Sequence, residues 1–332
     1  MRVLVNGWYN HGNTGDESYK LTFPAVFPGH SFEFIDHIPK NHQADAYILG
    51  GGNVLEPEFL NQYQNINKPK HLISVSAFSN IDKKLLEGFD QVVVRDVRSK
   101  KTLEDKGIKC KLMPDLAFNF QAEAEEGYML LRNMYRAADY KIYNKIVTVI
   151  VNSYVAVSAP DQRKSKHELA FLKFCYDLAE IFDNTAASFV FLPFSTRFPS
   201  DDRVANSWVA AKCKYWEKNL VIYDKLSVQD TLNIIGASDA VISMRLHSSI
   251  FSCVANTPFV DITHHDKNLG FLETIGKTDL SISYWNFDKE KCHKLLNDLL
   301  KTPEPLKTEL RKISIEQKRQ LAEVSKNVCL CK

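Results

Sequence analysis

Short apolar runs alternate with longer amphipathic patterns along most of the chain, and this alternation restricts the fold more than any other feature. In the first third, the runs that we interpret as strands cover residues 2–6, 31–35, 46–49, 71–76 and 91–95. From residue 146 onward, they cover residues 146–151, 188–193, 220–223, 240–243 and 259–262. Strands that are apolar throughout and separated by helices are typical of buried parallel sheets. The alternation therefore predicts α/β domains with doubly wound sheets.

The length of 332 residues exceeds what one hydrophobic core of ordinary size supports, so two domains are expected. We predict an N-terminal Rossmann-like domain over residues 1–120 and a C-terminal Rossmann-like domain over residues 145–300. Segment 121–144 begins with polar residues and interrupts the alternation, and we interpret it as a linker that can contain one helix. Two prolines and a long charged pattern then predict a helical tail over residues 301–332.

Charge and hydropathy exclude two classes of protein. The chain has 42 Lys and Arg against 40 Asp and Glu, and a net charge of +2 gives no reason to expect a nucleic-acid-binding protein. No apolar run reaches the roughly 18 residues of a membrane span. The N-terminal apolar stretch is shorter than a signal peptide requires and is interpreted as a first strand. We therefore expect a cytoplasmic protein, and a homo-oligomer is left open.

Cysteine and histidine patterns do not predict a metal site. The seven cysteines are scattered without zinc-like spacing. Cys329 and Cys331 near the C-terminus leave a metal, a disulfide or two ordinary thiols open. The run His264-His265-Asp266 contains metal-binding residue types, but adjacent side chains rarely point the same way. We expect no metal.

A polar loop follows the first predicted strand, at the edge where open parallel sheets bind ligands. It runs from His11 to Glu17 and reads HGNTGDE. Thr14 and Glu17 have the spacing of a capping box, which predicts that a helix begins there. Helix N-terminal amides can receive an anion, but the carboxylates of Asp16 and Glu17 oppose a phosphate in the same turn. A tight capped turn without a ligand is the alternative interpretation.

Two further loops follow predicted strands in the first domain. Glycines 50–52, followed by Asn53, permit left-handed backbone and close approach of a ligand to the amides. Arg95 follows a buried strand, where a guanidinium needs a partner because an unpaired buried charge is costly. That partner is either the neighbouring Asp96, which makes the arginine structural, or the carboxylate or phosphate of a substrate.

The fourth loop, in the second domain, has the strongest chemical signal. The segment Ser243-Met244-Arg245-Leu246-His247-Ser248 passes from a predicted strand into a helix. A guanidinium, an imidazole and helix N-terminal amides together can bind an anion and move a proton. The alternative is a surface arginine and a core histidine, both with internal partners.

Seven short motifs, in this order, resemble a known family. They are Gly12-Asn13-Thr14-Gly15-Asp16-Glu17, Leu49-Gly50-Gly51-Gly52-Asn53, Val94-Arg95-Asp96, Met113-Pro114-Asp115-Leu116-Ala117, Ile242-Ser243-Met244-Arg245-Leu246-His247, Thr257-Pro258 and Lys267-Asn268-Leu269-Gly270-Phe271. Their order and spacing over about residues 1–275 resemble the polysaccharide pyruvyl transferase family. The run 264–266 departs from that family, in which an aromatic and an acidic residue more often precede the lysine.

The resemblance implies a two-domain, glycosyltransferase-B-like fold with an interdomain cleft. It also implies transfer of a pyruvyl unit from phosphoenolpyruvate to two hydroxyls of one sugar. The product is a cyclic ketal, commonly across O4 and O6, on a cell-surface glycan or its lipid-linked precursor. Phosphoenolpyruvate is then the donor substrate, and neither a cofactor nor a metal is required.

This chemistry assigns expected roles to the loop residues. The cations that would hold the phosphate and carboxylate of the donor are Arg95, Arg245 and Lys267, with His247 and Ser248 beside them. His247 is the expected proton donor to the enol carbon. Asp16 and Asp115 are expected to activate or orient the sugar hydroxyls. The residues assigned to acceptor binding are Asn13, Gly15, Glu17, Gly51, Gly52 and Asn53.

Two other functions fit the same expected fold. A nucleotide-sugar-dependent glycosyltransferase would use the basic strand ends for a diphosphate, and a catalytically inactive protein would only bind glycans. Aromatic residues near strand ends either stack on the acceptor sugar or fill the core; they are Trp8, Tyr9, Tyr154, Phe194 and Phe198.

Overall fold

A computed structural model of the chain describes residues 1–77, 81–152 and 164–330. The chain divides into two compact units. The first contains Met1–Phe120, Gly270–Gly276 and Ile315–Lys332, and the second contains Gln121–Leu269 and Lys277–Ser314. No helix in the described part of the chain is long and apolar enough to cross a membrane.

The first unit is built on a six-stranded parallel sheet. Its strands are β1 (Arg2–Asn6), β2 (Ser31–Ile35), β3 (Ala46–Gly52), β4 (Lys70–Val75), β5 (Gln91–Val94) and β6 (Lys111–Leu112). Its helices are α1 (Thr14–Val26), α2 (Pro57–Leu60) and α3 (Val97–Glu104). The strand order is β2-β1-β3-β4-β5-β6, so the winding direction reverses between β1 and β3. Doubly wound sheets bind ligands at this reversal, outside the carboxyl ends of the strands.

The second unit is built on another six-stranded parallel sheet. Its strands are β7 (Ile146–Ile150), β8 (Ser188–Phe191), β9 (Asn219–Val221), β10 (Ala240–Ser243), β11 (Phe259–Thr263) and β12 (Ser281–Ser283). The remaining helices are α4 (Ala124–Ala137), α5 (Lys164–Asp183), α6 (Asp202–Ala210), α7 (Val228–Gly236), α8 (Leu246–Ala255), α9 (Asp266–Thr274), α10 (Lys289–Lys301) and α11 (Glu304–Lys326). The order β12-β11-β10-β7-β8-β9 is that of a Rossmann sheet, with its reversal between β7 and β10.

The core of each unit lies on both faces of its sheet. Every residue of β3 and β7 is buried, which explains why these strands are apolar without alternation. Burial of one Val or Ile side chain stabilises the folded state by about 1.5–3 kcal/mol. The central strands therefore hold the loops at their carboxyl ends in place.

The structure differs from the predicted domain boundaries in two places. Segment 121–144, predicted as a linker, contains α4, which packs on α7 within the second unit. Gly127 makes this packing close, since a Cβ there would lie 2.0 Å from the carbonyl oxygen of Asn233. The predicted tail 301–332 is also divided, because residues up to Ser314 group with the second unit and residues from Ile315 with the first.

Candidate active site

In the second unit, Arg245 lies between β10 and α8 and is held by a buried carboxylate. Its Nε lies 3.1 Å from Asp202 Oδ2, and its Nη2 donates to Asp202 Oδ1 at 2.5 Å. Nη2 also donates to the carbonyl oxygen of Ser200 at 2.9 Å. The Arg245 side chain remains 14% exposed. Its guanidinium is therefore fixed at the carboxyl edge of the sheet without being enclosed.

Asp202, the partner of Arg245, was not identified from the sequence. It is fully buried and also accepts hydrogen bonds from the backbone amides of Phe194 and Ser195, at 3.1 and 3.0 Å. Burial raises the pKa of Asp202, and the Arg245 guanidinium and the amide hydrogen bonds oppose that rise. Because its carboxylate fixes the orientation of the guanidinium, Asp202 acts as a positioning residue for Arg245.

His247 and Ser248 lie in the first turn of α8, where the helix dipole favours negative charge. The His247 ring packs edge-on against Phe251, with centroids 6.5 Å apart, and the residue is 8% exposed. Ser248 Oγ donates to the carbonyl oxygen of Arg245 at 2.7 Å and also bonds to Ser243 Oγ. The Ser248 hydroxyl thus holds the turn that carries Arg245 and His247.

The loop after β11 adds further basic groups to the same sheet edge. Burial lowers the pKa of His264 to about 3, with additional contributions from the positive charges of Lys267 and Arg245. Burial and Lys267 lower the pKa of His265 to about 4. His264 Nε2 lies 3.1 Å from Asn152 Nδ2, at the end of β7. His264 is therefore a buried, neutral imidazole at the carboxyl end of β11, next to Asn152, which follows β7.

The two adjacent histidines do not form a metal centre with Asp266. The ring centroids of His264 and His265 are 6.5 Å apart, at 75° to each other. Across the described ranges, no group of three or more His, Cys, Asp or Glu side chains is arranged to hold a metal ion. The neutral histidines instead leave the positive charge of this loop on Lys267.

We expect His264 to make the folded state less stable in acid. Its pKa is about 3 in the folded chain against 6.5 ordinarily, so at pH 5 the unfolded chain binds the extra proton. The free energy of unfolding therefore falls as the pH drops from about 7 toward 3, and His264 alone accounts for about 2 kcal/mol at pH 5. Urea unfolding of His264→Gln at pH 7 and pH 5 should show a smaller loss than the parent.

The matched control for this prediction is His293→Gln, which removes a histidine from α10 of the same unit. We expect it to keep the parent's difference between pH 7 and pH 5. An equal pH 7 to pH 5 loss in His264→Gln and the parent would contradict a neutral, cation-flanked imidazole at this position.

In the first unit, the loop after β1 folds differently from the predicted capping box. Asn13, not Thr14, is the N-cap of α1, and its side chain accepts from the amide of Gly15 at 3.0 Å. Glu17 Oε1 accepts from the amide of Asn10 at 2.6 Å, and Glu17 also pairs with Lys20 at 2.6 Å. Asn13 and Glu17 therefore hold the loop, and Gly15 is buried in the first turn of α1.

The three glycines predicted to form a loop are the last residues of β3, and this glycine turn contacts α1 at the reversal point of the first sheet. Gly51 and Gly52 have φ values of +75° and +100°, which glycine adopts without strain. A Cβ on Gly51 would lie 2.5 Å from the Tyr19 ring, and one on Gly52 would lie 2.7 Å from Asp16 Oδ1. Asn53 Oδ1 is buried with no hydrogen-bond donor beside it. The turn thus brings Asp16, Gly52 and Asn53 into one small region.

The structure gives Arg95 an internal carboxylate partner, which favours a structural role for this arginine. Arg95 and Asp115 form an ion pair of 2.9 Å, with both side chains 3% exposed. Arg95 also donates to Tyr19 Oη at 2.8 Å and to Ser76 Oγ at 2.9 Å. Its carboxylate partner is therefore Asp115 and not Asp96, which was one of the two alternatives that the sequence left open. The expected roles of Arg95 in donor binding and of Asp115 toward a sugar hydroxyl remain predictions, and both groups are engaged in this ion pair.

The candidate stacking aromatics divide into two classes. Tyr9 and Phe194 are buried and belong to the core, whereas Trp8 and Phe198 are 47% and 83% exposed. Trp8 stacks on His11, with ring centroids 3.9 Å apart. Tyr154 lies outside the described residues, as does Cys331, and Cys329 is an exposed free thiol.

Comparison with solved structures establishes the fold. An Escherichia coli trehalose-6-phosphate structure bound with UDP-2-fluoro glucose has a TM-score of 0.59 at 10% identity, covering 99% of this chain and 100% of that one. A Neisseria meningitidis UDP-GlcNAc 2-epimerase and a Siraitia grosvenorii ugt transferase each have a TM-score of 0.57 at 10% identity, covering 98% of both chains. The chain therefore has a glycosyltransferase-B-like fold with two Rossmann-like domains.

Comparison with protein families identifies the relationship that the motifs indicated. No curated protein matches the chain. The family model described as polysaccharide pyruvyl transferase matches residues 8–266, which is more than half of the chain. The match includes the loops after β1, β3, β5 and β10 and most of the basic loop after β11. The chain therefore belongs to the polysaccharide pyruvyl transferase family.

Proposed function

We propose that the protein transfers a pyruvyl group from phosphoenolpyruvate to two hydroxyls of one glycan sugar and so closes a cyclic ketal. Family membership supports a transferase that acts on a glycan. The finer assignment, a ketal of the 4,6 type on a cell-surface glycan or its precursor, rests on the chemistry of the basic site in the second unit.

The observation that carries this proposal is the Arg245 guanidinium, which Asp202 holds at the carboxyl end of β10 beside the first turn of α8. Phosphoenolpyruvate has two anionic groups, a phosphate and a carboxylate. The fixed Arg245 guanidinium beside the N-terminus of α8 can bind one of them, and we assign the other to Lys267. Asp202 fixes the orientation of the Arg245 guanidinium by accepting hydrogen bonds from its Nε and Nη2. His247 lies two residues after Arg245, in the first turn of α8.

The proposed reaction is balanced without a redox partner. The oxygen of the first sugar hydroxyl bonds to C2 of the enol, a proton from His247 adds to C3, and the hydroxyl proton returns to the imidazole. The second hydroxyl oxygen then bonds to C2, the bond from C2 to the phosphate oxygen breaks, and the second hydroxyl proton leaves with phosphate. Fixed cations around the departing phosphate stabilise the transition state because they need no reorganisation.

We assign acceptor recognition to the turn of Asp16, Gly52 and Asn53 in the first unit. Asn53 Oδ1 is a buried acceptor that a sugar hydroxyl could satisfy. The Asp16 carboxylate, 8% exposed, lies beside the same turn and can orient a second hydroxyl. Asn13, Glu17 and Gly15 support this region by holding the loop after β1.

The donor is tested by thermal stabilisation of the full chain. At a concentration of about 100 times its dissociation constant, a ligand stabilises the folded state by about 2.7 kcal/mol. We expect phosphoenolpyruvate to raise the melting temperature by roughly 5–10 °C, and UDP-glucose to leave it unchanged. A rise with UDP-glucose alone would favour a nucleotide-sugar-dependent glycosyltransferase and would overturn the proposed donor.

The reaction itself is tested by phosphate release from phosphoenolpyruvate in the presence of β-linked hexosides. Release that requires both substrates, together with a product heavier by one pyruvyl ketal, supports the proposal. Donor binding without turnover across the whole hexoside panel would contradict the assigned acceptor class.

A further inference from the structure

A cavity of about 870 Å³ lies in the first unit, away from the loops described above. Its lining includes Arg2 at the start of β1, Asp45 just before β3 and Lys68 just before β4. The amino ends of parallel strands meet at one edge of a sheet, opposite the edge that carries the glycine turn. The seven residues of β3 span about 20 Å, so the cavity is a separate site on this unit.

The cavity has an excess of positive charge. Its basic lining residues are Arg2, His37, Lys40, His42 and Lys68, and its acidic lining residue is Asp45. Glu33 accounts for two of the basic groups, since it lies 2.8 Å from Arg2 Nη2 and 3.2 Å from His42 Nε2. Lys40 and Lys68 make no ion pair within residues 1–77, 81–152 and 164–330. Two ammonium groups therefore remain available to an anion at the cavity.

The cavity is also lined by side-chain amides with unused hydrogen-bonding capacity. Gln43, Asn65 and Asn67 make no side-chain hydrogen bond to any other described residue. An amide both donates and accepts hydrogen bonds, and so does each sugar hydroxyl, so the two groups can bind each other. Gln62 has a different role: its Oε1 accepts from the amide of Ile38 at 2.8 Å, and its Nε2 donates to the carbonyl of Glu58 at 3.1 Å. It fixes the loop that forms one wall.

The lining disfavours a nucleotide. Tyr47 lines the cavity but is buried, and its hydroxyl donates to the His42 carbonyl and accepts from the Ala44 amide. Its ring is therefore not presented for base stacking, on which recognition of unpaired bases depends. The volume lies within the range of small-molecule sites. The two cations, the side-chain amides and the volume of the cavity together fit a ligand of one or two sugar residues that carries a negative charge.

We propose that this cavity is a second binding site, which takes an anionic saccharide through Lys40, Lys68 and the amides of Gln43, Asn65 and Asn67. The shared chemistry is a phosphate or carboxylate on a hydroxyl-rich ring. Its source is either a free sugar phosphate or an acidic segment of a glycan chain. This site is independent of the reaction proposed above, because its residues lie at the opposite edge of the first sheet.

Calorimetric titration of the full chain tests the site with four probes: glucose 1-phosphate, digalacturonate, maltose and inorganic phosphate. We expect one of the two anionic saccharides to bind more tightly than both maltose and phosphate, and its affinity to fall as salt is added. The tighter of the two identifies the source as a sugar phosphate or as an acidic glycan. Absence of saccharide binding up to about 10 mM, or phosphate binding as tightly as either saccharide, would overturn the proposal.

Variants then locate the binding. In Lys40→Glu/Lys68→Glu the affinity for the bound saccharide should fall about tenfold or more, because two attractive charges become repulsive. The control Lys84→Glu/Lys101→Glu makes the same charge change at exposed positions of the first unit and should bind as the parent does. Lys267→Gln, in the candidate active site, should also bind normally. Equal loss in the control, or loss in Lys267→Gln alone, would refute a site in this cavity.

Discussion

Replacing His247 with glutamine should lower phosphoenolpyruvate-dependent phosphate release about 10²- to 10⁴-fold, the usual contribution of a positioned general acid. Glutamine keeps a polar group in the first turn of α8 and is close to histidine in size, so the packing against Phe251 should survive. It does not titrate and cannot deliver a proton to C3 of the enol. The expected loss is therefore in turnover, with the fold retained.

Two measurements separate this chemical role from a structural one. Phosphoenolpyruvate should still raise the melting temperature of His247→Gln, because Arg245 and Lys267 remain in place. A loss of kcat with little change in donor affinity identifies a group needed in the transition state. His293→Gln, in α10 of the same unit, is the matched control and should turn over normally. Near-normal turnover in His247→Gln would remove His247 from the proposed mechanism.

Arg245 and Asp202 show why part of the site could not be predicted from the sequence. The motif around Arg245 was identified because a strand, a helix start and three functional side chains lie within six consecutive residues. Asp202 lies 43 positions away, at the start of α6, where its carboxylate also has local backbone partners. Local patterns show that an arginine needs a partner, but only the three-dimensional arrangement of α6 and α8 selects it.

The same reasoning explains which parts of the fold were predicted. The ten predicted strands are present. The central strands, such as β3 and β7, are buried throughout and therefore apolar, whereas the edge strand β2 is only partly buried. Strands β6 and β12 were not predicted, since two and three residues are too few to show a period. Helix α4 was assigned to the linker and not to the second domain because its buried positions, Gly127, Leu131 and Tyr135, include a glycine among exposed charges. The buried face of α4 is recognisable only in the structure, where it packs on α7.

Arg95 is the residue for which the structure changes the expected experiment most. Replacing Arg95 with methionine should destabilise the first unit by about 3–5 kcal/mol, because it leaves the Asp115 carboxylate buried without its cation. Tyr19 Oη still donates to Asp115 at 2.6 Å, and burial raises the pKa of that phenol, so it stays protonated. Asp115 Oδ1 also accepts from the Ala117 amide at 3.0 Å, but these two neutral hydrogen bonds do not replace an ion pair with both side chains 3% exposed.

The control for this effect lies three residues further along the chain. Arg98 makes two 2.7 Å contacts to Glu273, but the two side chains are 38% and 35% exposed. Arg98→Met should therefore cost less than about 1 kcal/mol. Hydrogen exchange of the β4 and β5 amides reports the stability of the first unit directly and does not depend on two-state unfolding of the whole chain.

Stability and donor binding together decide between the two roles of Arg95. If the arginine is structural, Arg95→Met loses protection in β4 and β5, and the double variant Arg95→Met/Asp115→Leu recovers part of it, since no buried charge is then left unpaired. If Arg95 instead binds the donor, its replacement should cost no more stability than Arg98→Met and should weaken phosphoenolpyruvate binding about tenfold or more. The 2.9 Å pair with Asp115 leads us to expect the first result. That result leaves Arg245 and Lys267 as the cations that the donor requires.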